Sequence, residues 1–261
     1  MEASLRKSLA IQCRVVGALM LREIITRYGR HNIGFLWLFV EPMIFTLAVM
    51  SLWELLQVGH GHGLPPAAFA ITGYSSILMW RNIAGRCINS VEPNLVLMHH
   101  RNVRVIDIFI ARALLEFLGA TASFLLLGTA FCSLGLAEGP VNILAVLEGW
   151  MMLLWFGSSL GIFVGSFGIR YELVEKLWHP ITYVMFPISG ALFMVDWLPP
   201  PLQKAVLWVP MVHGVEMIRA GFFGNSVRPH FDLGYLSAVC LALTTLGLAQ
   251  SRIVSRELVP E

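Results

Sequence analysis

Charged residues are scarce in this sequence. Lysine, arginine, aspartate and glutamate together make up 13% of its 261 residues, whereas 57% are apolar. Soluble domains contain about a quarter charged residues, so this chain has too few ionic groups to cover a water-facing surface. The scarcity excludes an ordinary soluble domain and predicts an integral membrane protein. The net charge of +2 is also too small to suggest binding to nucleic acid.

Lysine is especially rare, and its positions exclude one nucleotide-binding motif. A P-loop needs a lysine directly after a glycine, but Lys7, Lys176 and Lys204 are the only lysines and each follows another residue type. The chain therefore lacks a P-loop with which to hydrolyse ATP. Any ATP-driven movement would have to take its energy from a partner, and we expect no cofactor bound by this chain.

Paired cysteines and a catalytic cluster are also missing. The four cysteines show no paired spacing, so we expect no disulfide and no metal site. A match to the Gly-x-Ser-x-Gly motif is centred on Ser159, but the last span has no histidine that could act as its base. We therefore expect no catalytic residue. Gly157, Gly161 and Gly165 share one helix face and are predicted to pack against another helix.

Six apolar runs are long enough to cross a bilayer as helices. A hydrocarbon core of about 30 Å needs about 20 helical residues. Polar or proline- and glycine-rich stretches separate the runs, and the proline run at residues 199–201 is interpreted as a water-facing loop. The sequence predicts an all-α integral membrane protein with a single domain, residues 1–261. The six predicted transmembrane helices are residues 33–57, 66–82, 105–136, 141–169, 177–198 and 231–251.

Basic residues set the predicted orientation. Fifteen of the 18 lie before the first span, near the second and third spans, between the fourth and fifth, or after the sixth. Cytoplasmic segments carry an excess of such residues, so we expect both termini in the cytoplasm. Lys204, Arg219 and Arg228 are the exceptions. They lie in a stretch that Pro210 divides into pieces too short to cross, which predicts a re-entrant hairpin over residues 199–228.

Two predicted spans contain ionisable residues. Glu41 lies near the middle of the first span, so its side chain must be protonated, paired or turned toward a wet cavity. Either a structural hydrogen bond at the kink expected from Pro42 or a cavity-lining role meets that requirement. Arg112 and Glu116 are four residues apart in the third span, a spacing at which helical side chains meet. We predict that they pair with each other.

A polar stripe runs along the second half of the predicted hairpin. His213, Glu216 and Arg219 recur every three residues, which places them on one side of a helix. The stripe must face water, lipid headgroups or protein. We interpret it as an interfacial stripe, and a contact at an exit gate is the alternative.

Two segments outside the spans are predicted to lie on the cytoplasmic side. Residues 1–32 combine apolar residues at helical spacing with basic residues opposite, which predicts an amphipathic helix on the inner leaflet. Residues 83–104 form a loop that contains Glu92, Pro93 and Asn94, followed by a short apolar stretch. A short helix there would fit into the groove of a partner.

Several short segments occur in a characteristic order. They are Leu21-Arg22-Glu23-Ile24, Thr26-Arg27-Tyr28, Gly34, Leu36-Trp37, Glu41-Pro42, residues 110–116, Pro210, Val212-His213 and Val215-Glu216. Together with six spans and a hairpin before the last span, they resemble the membrane subunit of the ABC exporters that secrete capsular polysaccharide, most of all the group 2 capsule type. The resemblance covers nearly the whole chain.

The resemblance implies a homodimer that works with two copies of a separate ABC ATPase, which would bind the ATP and Mg²⁺. The implied cargo is a lipid-linked acidic polysaccharide that crosses the bacterial inner membrane and passes to periplasmic and outer-membrane components. The resemblance also implies roles for individual residues. Those for the translocation path are Trp37, Glu41, Trp178 and Tyr183, with Arg27 and Arg30 near its entrance. Those for coupling to the ATPase are Glu92, Pro93 and Asn94.

Two other functional classes stay open at this point. A proton-coupled secondary transporter could use Glu41 as its proton carrier, and broken helices are common in that class. Such a transporter predicts two related halves, and the sequence shows no internal repeat. A polytopic membrane enzyme would need a convergent cluster of aspartate, histidine or cysteine, which the sequence lacks.

Overall fold

A computed structural model describes residues 2–28, 32–55, 63–100 and 103–258. These residues form ten α-helices and contain no strand, which confirms the predicted all-α class. Short 3₁₀ turns occur at Glu92–Asn94, Val195–Trp197 and Gly224–Ser226. The helices are α1 (Glu2–Tyr28), α2 (Asn32–Leu55), α3 (Pro66–Ile88), α4 (Leu95–His100), α5 (Val105–Ser133), α6 (Ile143–Gly168), α7 (Glu172–Ile188), α8 (Pro200–Val206), α9 (Pro210–Phe223) and α10 (Leu233–Leu258).

Helices are present at each of the six predicted spans, as α2, α3, α5, α6, α7 and α10. Within the described residues, α5, α6 and α10 are both long enough and apolar enough to cross a membrane. α8 and α9 meet the same condition only as a pair, and they are bent by 108° relative to each other. That bend fits a broken span as well as a re-entrant hairpin. The count of six spans and the hairpin topology therefore stay predictions.

α3 is the central helix of the bundle. Residues 67–80 are all buried, and α2, α5, α6 and α9 pack around them. Because neighbouring helices cover α3, it tolerates small and polar residues such as Ser75 and Ser76 where a lipid-facing helix would need apolar ones. α3 also continues to Ile88 rather than ending at Asn82 as predicted. The polar side chains of this last part line a cavity and need no contact with hydrocarbon.

α6 packs against α3 through a face of glycines. A Cβ atom added at Gly157 would lie 2.9 Å from the Cα of Trp80. Added at Gly161 or Gly165, it would lie 3.0 Å from the sulfur or the carbonyl oxygen of Cys87. Side chains at these positions would force the two helices apart, so the predicted packing role of the glycine face is confirmed.

The fifth predicted span is displaced in the structure. α7 runs from Glu172 to Ile188, whereas residues 177–198 were predicted. It begins early because glutamates suit the first turn of a helix, although they lower the hydropathy there. It ends early because Pro187 and then Gly190, with a φ of 84°, turn the chain away from the helical path. Hydropathy cannot detect this end, since residues 189–198 are themselves largely apolar.

The proline run begins a helix. Pro199 is the N-cap of α8, and Pro200 and Pro201 occupy its first turn. Proline is favoured there because the first turn needs no amide donors and a φ near −65° suits the helix. The prediction of a water-facing loop at residues 199–201 is wrong. Pro210 begins α9, so the chain does divide at this residue as expected.

α10 connects the two ends of the molecule. It starts next to α9, where the amide of Asp232 donates to the Nδ1 of His213 at 2.9 Å. It ends at Leu258, which packs against an apolar cluster that includes Val16 of α1 and Val91 near α4. At 1.5 Å per residue, its 26 residues extend about 39 Å. The α8–α9 pair and α4 therefore lie at opposite ends of a helix of bilayer length.

Candidate functional site

A cavity of about 470 Å³ opens between α2, α3, α5 and α7. We call it the α3–α7 cavity. Three of the residues predicted for the translocation path, Glu41, Trp178 and Tyr183, line it together. Glu41 also lines an adjoining space of about 50 Å³ with Tyr74. The structure thus brings together residues that are more than a hundred positions apart in the sequence, and their role in transport stays a prediction.

Basic residues outnumber acidic ones on the wall of the α3–α7 cavity. The wall contains three arginines and two glutamates, namely Arg81, Arg86, Arg112, Glu41 and Glu175. Two of these arginines pair with glutamates outside the wall, so the wall offers guanidinium donors rather than a net positive charge. This arrangement suits an anionic ligand that also offers groups able to hydrogen-bond to carboxylates.

Sequence reasoning missed this group of arginines, because it used Arg81 and Arg86 only as markers of orientation and assigned Arg112 to a pair with Glu116. The sequence feature that could have revealed this part of the cavity is the spacing of polar and small residues near the end of α3. Positions separated by one, four, five and eight residues share one helix face. The residues at that spacing that line the cavity are Arg81, Asn82, Gly85, Arg86 and Asn89.

Ion pairs hold the arginines in place. Arg112 pairs with Glu23 of α1, and the Nε of Arg86 lies 3.5 Å from a carboxylate oxygen of Glu116. Arg112 and Glu116, which were predicted to pair with each other, thus each have a partner on another helix. The Arg86 side chain is 41% exposed, so it stays accessible from the cavity.

Gly85 allows Trp178 to pack closely on α3. A Cβ atom at residue 85 would lie 2.8 Å from the Nε1 of Trp178, too close for a non-bonded contact. The absence of a side chain therefore lets the indole form part of the cavity wall. Nearby, the side-chain amide of Asn89 donates to a carboxylate oxygen of Glu175 at 2.6 Å and connects the end of α3 to α7.

The other predicted path residues are not among those that line this cavity. Trp37 is exposed on α2 and is absent from the wall of the α3–α7 cavity. Arg27 belongs to α1, but its side chain lies outside the described part of the chain, and Arg30 lies outside it entirely. Their predicted roles remain untested by the geometry.

The predicted coupling residues form a single 3₁₀ turn, Glu92–Asn94, which we call the docking turn. Glu92 and Pro93 are exposed, whereas Asn94 is buried. Arg22 of α1 donates to the side-chain oxygen of Asn94 and, at 2.9 Å, to the carbonyl oxygen of Pro93. The side-chain amide nitrogen of Asn94 donates in turn to the carbonyl oxygen of Ser90 at 2.7 Å. The turn is therefore held rigidly while its outer surface stays open to a partner.

α1 joins the docking turn to the α3–α7 cavity. Arg22 contacts the turn, and the next residue, Glu23, pairs with Arg112 on the cavity wall. A further hydrogen bond of 3.0 Å, from Gln12 to Asp107, fixes α1 to the beginning of α5. Sequence reasoning assigned α1 to the membrane surface and did not foresee these contacts.

Two residues of the polar stripe form hydrogen bonds to backbone groups of the irregular segment that follows α7, and one of them also bonds to the backbone of His230. Glu216 and Arg219 are fully buried. The guanidinium of Arg219 donates to the carbonyl oxygens of three residues, namely Gly190 at 2.6 Å, Ala191 at 2.6 Å and Phe193 at 2.5 Å. The Glu216 carboxylate accepts from the amides of Val195, at 3.1 Å, and His230, at 3.0 Å. These side chains face protein rather than water or headgroups.

His213, the third member of the stripe, is also buried. Its Nε2 lies 2.9 Å from the carbonyl oxygen of Leu207, which can only accept, so Nε2 carries the hydrogen. Its Nδ1 accepts from the amide of Asp232 at 2.9 Å. The ring is thus fixed as the neutral tautomer and holds α9 to the residues before α10. A role of the stripe at an exit gate stays a prediction.

The ABC-2 type transporter family matches this chain over residues 14–223. The chain belongs to that family. It is 43% identical over 260 residues to the capsule polysaccharide export inner-membrane protein CtrC of Neisseria meningitidis serogroup B, covering all of this chain and 98% of that protein. It is 40% identical over 260 residues to the capsule polysaccharide export inner-membrane protein BexB of Haemophilus influenzae, with the same coverage. It is 28% identical over 247 residues to the polysialic acid transport protein KpsM of Escherichia coli, covering 95% and 96% of the two chains.

Membership in the ABC-2 family confirms the resemblance that the short segments indicated. The matched residues, 14–223, include the α3–α7 cavity, the docking turn and the polar stripe, whereas α10 lies beyond them. The chain is therefore an ABC-2 membrane subunit, and the features above can be considered in the context of such a subunit.

Proposed function

We propose that this chain is the membrane subunit of an ATP-driven exporter that moves a lipid-linked acidic polysaccharide across the bacterial inner membrane. The observation that carries the proposal is the family match, together with relatives that align along the whole chain and are named for export of capsule polysaccharide. The missing P-loop supports a separate ATPase, two copies of which would bind ATP and Mg²⁺. Periplasmic and outer-membrane components would continue the route.

The α3–α7 cavity supports an anionic cargo. Its wall combines the arginines Arg81, Arg86 and Arg112 with the aromatic side chains of Trp178 and Tyr183. Arginine binds carboxylates and phosphates through several hydrogen bonds at once, and an aromatic surface suits the C–H faces of a sugar ring. A lipid-linked acidic glycan offers both kinds of group.

The contacts of α1 support coupling to an ATPase at the docking turn. The exposed Glu92 and Pro93 offer a surface on which a partner can bind. A shift of this turn would pass through Arg22 to Glu23, and from Glu23 to Arg112 in the cavity. One helix therefore provides a short mechanical connection between the place where ATP hydrolysis would act and the place where cargo would bind.

The proposal includes the finer topology and assembly. The six spans follow from the lengths of the apolar runs, and the re-entrant α8–α9 hairpin, α1 on the inner leaflet and both termini in the cytoplasm follow from segment lengths together with the distribution of charge. A homodimer is supported by α7, in which only Thr182 is buried among its 17 residues. A second copy of the chain would cover this helix and close the α3–α7 cavity from its open side.

The test is reconstitution of the purified chain in proteoliposomes, alone and with its cognate ABC ATPase. We expect ATP hydrolysis and ATP-dependent export of capsular glycan only with the ATPase. Glu92→Arg should abolish export while membrane insertion stays normal, because it reverses a charge on the exposed surface of the docking turn. The matched control is Glu138→Arg, a reversal at an exposed glutamate between α5 and α6.

Two outcomes would contradict the proposal. ATP hydrolysis by the chain alone would show that the motor is not a separate subunit. Uphill movement of a solute driven by a proton gradient, without the ATPase, would instead support the secondary transporter.

A further inference from the structure

A second cavity, distant from the α3–α7 cavity, lies where α8, α9 and the beginning of α10 meet. Its volume is about 560 Å³, within the range of about 300–1,000 Å³ that is usual for small-molecule sites. We call it the hairpin pocket. Its polar and aromatic lining residues include Lys204, Trp208, His213, His230, Asp232 and Tyr235.

Two aromatic rings form adjoining walls of the hairpin pocket. The rings of Trp208 and Tyr235 are 6.4 Å apart and nearly perpendicular, at 85°. The hydroxyl of Tyr235 donates to the backbone carbonyl oxygen of Trp208 at 2.8 Å, which holds the Tyr235 ring next to the residue that carries the indole. The Trp208 side chain is 76% exposed, so its indole is accessible to a ligand.

Partly buried hydrogen bonds hold the residues around the pocket in place. The neutral ring of His213 connects the carbonyl oxygen of Leu207 to the amide of Asp232 across the base of the pocket. The backbone of His230 is held by Glu216 at 3.0 Å. The walls are therefore preorganised, as binding sites for small molecules usually are.

Three side chains at the pocket keep polar atoms that can bind a ligand, although the Oδ1 of Asp232 accepts from the backbone amide of Tyr235 at 2.9 Å. Lys204 is exposed and makes no ion pair with any residue that the structure describes. The Nδ1 of His230 lies 3.1 Å from the carbonyl oxygen of Arg228 and donates to it, which leaves its Nε2 available. Asp232 is also exposed. The pocket therefore presents one cation, one carboxylate and one imidazole nitrogen next to two aromatic faces.

The hairpin pocket lies at the end of α10 opposite the docking turn. Tyr235 belongs to the first turn of α10, and the last residue of that helix, Leu258, packs near the docking turn about 39 Å away. If the docking turn contacts a cytoplasmic ATPase, the hairpin pocket lies on the exit side of the membrane.

We infer that the hairpin pocket binds an acidic sugar unit of the exported glycan as it leaves the membrane. This inference rests on the proposed function and adds to it a second glycan site, built by α8, α9 and α10. The faces of Trp208 and Tyr235 pack against the C–H faces of a sugar ring. Lys204 pairs with the carboxylate, and Asp232 and His230 bind hydroxyl groups. A belt of interfacial aromatic residues would need neither the concave shape nor this set of polar groups.

The test uses the complex of this chain with its ATPase in nanodiscs of neutral lipid. The probes are a trimer of sialic acid, a trimer of galacturonic acid and, as the neutral comparison, maltotriose. Saturation-transfer NMR measures the affinity of each probe. We expect saturable binding of at least one acidic trimer, with weaker binding of maltotriose.

Variants assign the binding to the pocket. Trp208→Ala should weaken binding of the acidic trimer by about two- to tenfold, since it removes one aromatic wall, and Trp208→Phe should restore most of it. Lys204→Gln should reduce the preference for acidic over neutral sugar, and a preference that remains is the part expected from the arginines of the α3–α7 cavity. Lys176→Gln, an exposed lysine at the start of α7, should change neither property. Thermal unfolding of each variant verifies that the fold is intact.

Three results would overturn the inference while leaving the proposed function in place, provided that the unaltered complex exports glycan with ATP. The first is that neither acidic trimer binds. The second is that binding persists unchanged in both Trp208→Ala and Lys204→Gln. The third is that the variants lose export without losing trimer affinity, which would indicate that the pocket holds a lipid or a partner protein instead.

Discussion

Charged side chains occur in two regions of this bundle, and the protein uses them differently. In α9, Glu216 and Arg219 are fully buried and bond to backbone groups of the same chain. In the α3–α7 cavity, Arg86 is 41% exposed and Arg81 and Glu41 are partly exposed. The first set completes the hydrogen bonding of the fold, whereas the second set has hydrogen-bonding capacity left for a ligand.

The difference shows that a charge within a membrane domain does not by itself identify a transport site. Burying an ionic group is costly unless partners replace its water. Arg219 meets this condition at its two Nη atoms, which donate to three carbonyl oxygens, and at the ring of Phe69, 3.8 Å from its guanidinium, while its Nε is buried without a hydrogen-bond partner in the described part of the chain. The distinguishing property of the cavity residues is that they border empty space as well as partners.

The largest effect is expected from Arg219→Met. This change leaves three buried carbonyl oxygens without their donor and leaves Glu216 without a nearby positive charge. Removing one partner of a buried charged interaction costs about 3–5 kcal/mol, a large part of a total stability of about 5–15 kcal/mol, so the unfolding temperature and the yield of folded protein should fall sharply. Fluorescence-detected size exclusion and thermal unfolding in detergent measure the loss, with Arg228→Gln, at an exposed arginine, as the control.

A second variant tests the same contact without changing any charge. A Cβ atom at Gly73 would lie 2.6 Å from the Nη2 of Arg219 and 2.6 Å from the carbonyl oxygen of Ala191. Gly73→Ala should therefore also lower the unfolding temperature. If both variants fold like the unaltered protein, the charges of α9 do not stabilise the fold, and the contrast with the cavity is lost.

An intermediate effect is expected from Arg81→Gln in the cavity. Arg81 lines both the α3–α7 cavity and the small space next to it. The loss of a charged hydrogen-bond donor to an anionic ligand is worth about tenfold or more in affinity, so export should fall by about tenfold while the unfolding temperature stays nearly unchanged. The measurements are capsule export in cells and thermal unfolding of the purified chain.

The comparison variant for Arg81 is Arg252→Gln, since Arg252 is exposed on the last turns of α10, away from the cavity. If Arg81→Gln lowers stability as much as Arg219→Met, Arg81 stabilises the fold as the buried charges of α9 do. If Arg81→Gln leaves export unchanged, Arg81 does not bind the exported ligand.

The smallest effect is expected from Gly85→Ala. The new methyl group would displace Trp178 from its place against α3, and overpacking of this kind costs about 1–3 kcal/mol. Because the indole borders a cavity, it can move away, so the cost should lie at the low end and export should fall by only about two- to fivefold. Gly17→Ala is the control, since nothing lies within 4 Å of a Cβ there. Equal effects of the two variants would show that the position of Trp178 does not matter.

Sequence reasoning identified part of the cavity for a physical reason. Glu41 is an ionisable residue in an otherwise apolar span, and such a residue must turn toward partners or water. The arginines of α3 could not be assigned in the same way. Arg81 and Arg86 look like the polar end of a span, and only the packing of α2 and α7 around this part of α3 turns their side chains into a wall.

The polar stripe shows a second limit of the sequence. The spacing of His213, Glu216 and Arg219 correctly placed them on one side of a helix, but spacing does not reveal what lies opposite. The carbonyl partners of Arg219 and one of the two amide partners of Glu216 come from residues 189–197, which the hydropathy pattern had included in the fifth span. The end of α7 and the burial of Arg219 depend on each other, so neither can be derived from local sequence.

Arg22 and Glu23 are neighbours in α1, yet they contact two different regions, the docking turn and the cavity arginine Arg112. With 3.6 residues per turn, adjacent side chains leave a helix about 100° apart, so the two contacts constrain α1 from two directions at once. The helix cannot roll or slide to follow one of them without straining the other. One additional residue inserted between Arg22 and Glu23 would rotate one side chain about 100° relative to the other, so both contacts could not form together. A residue added or removed near the beginning of α1 would leave the relative direction of the two side chains unchanged.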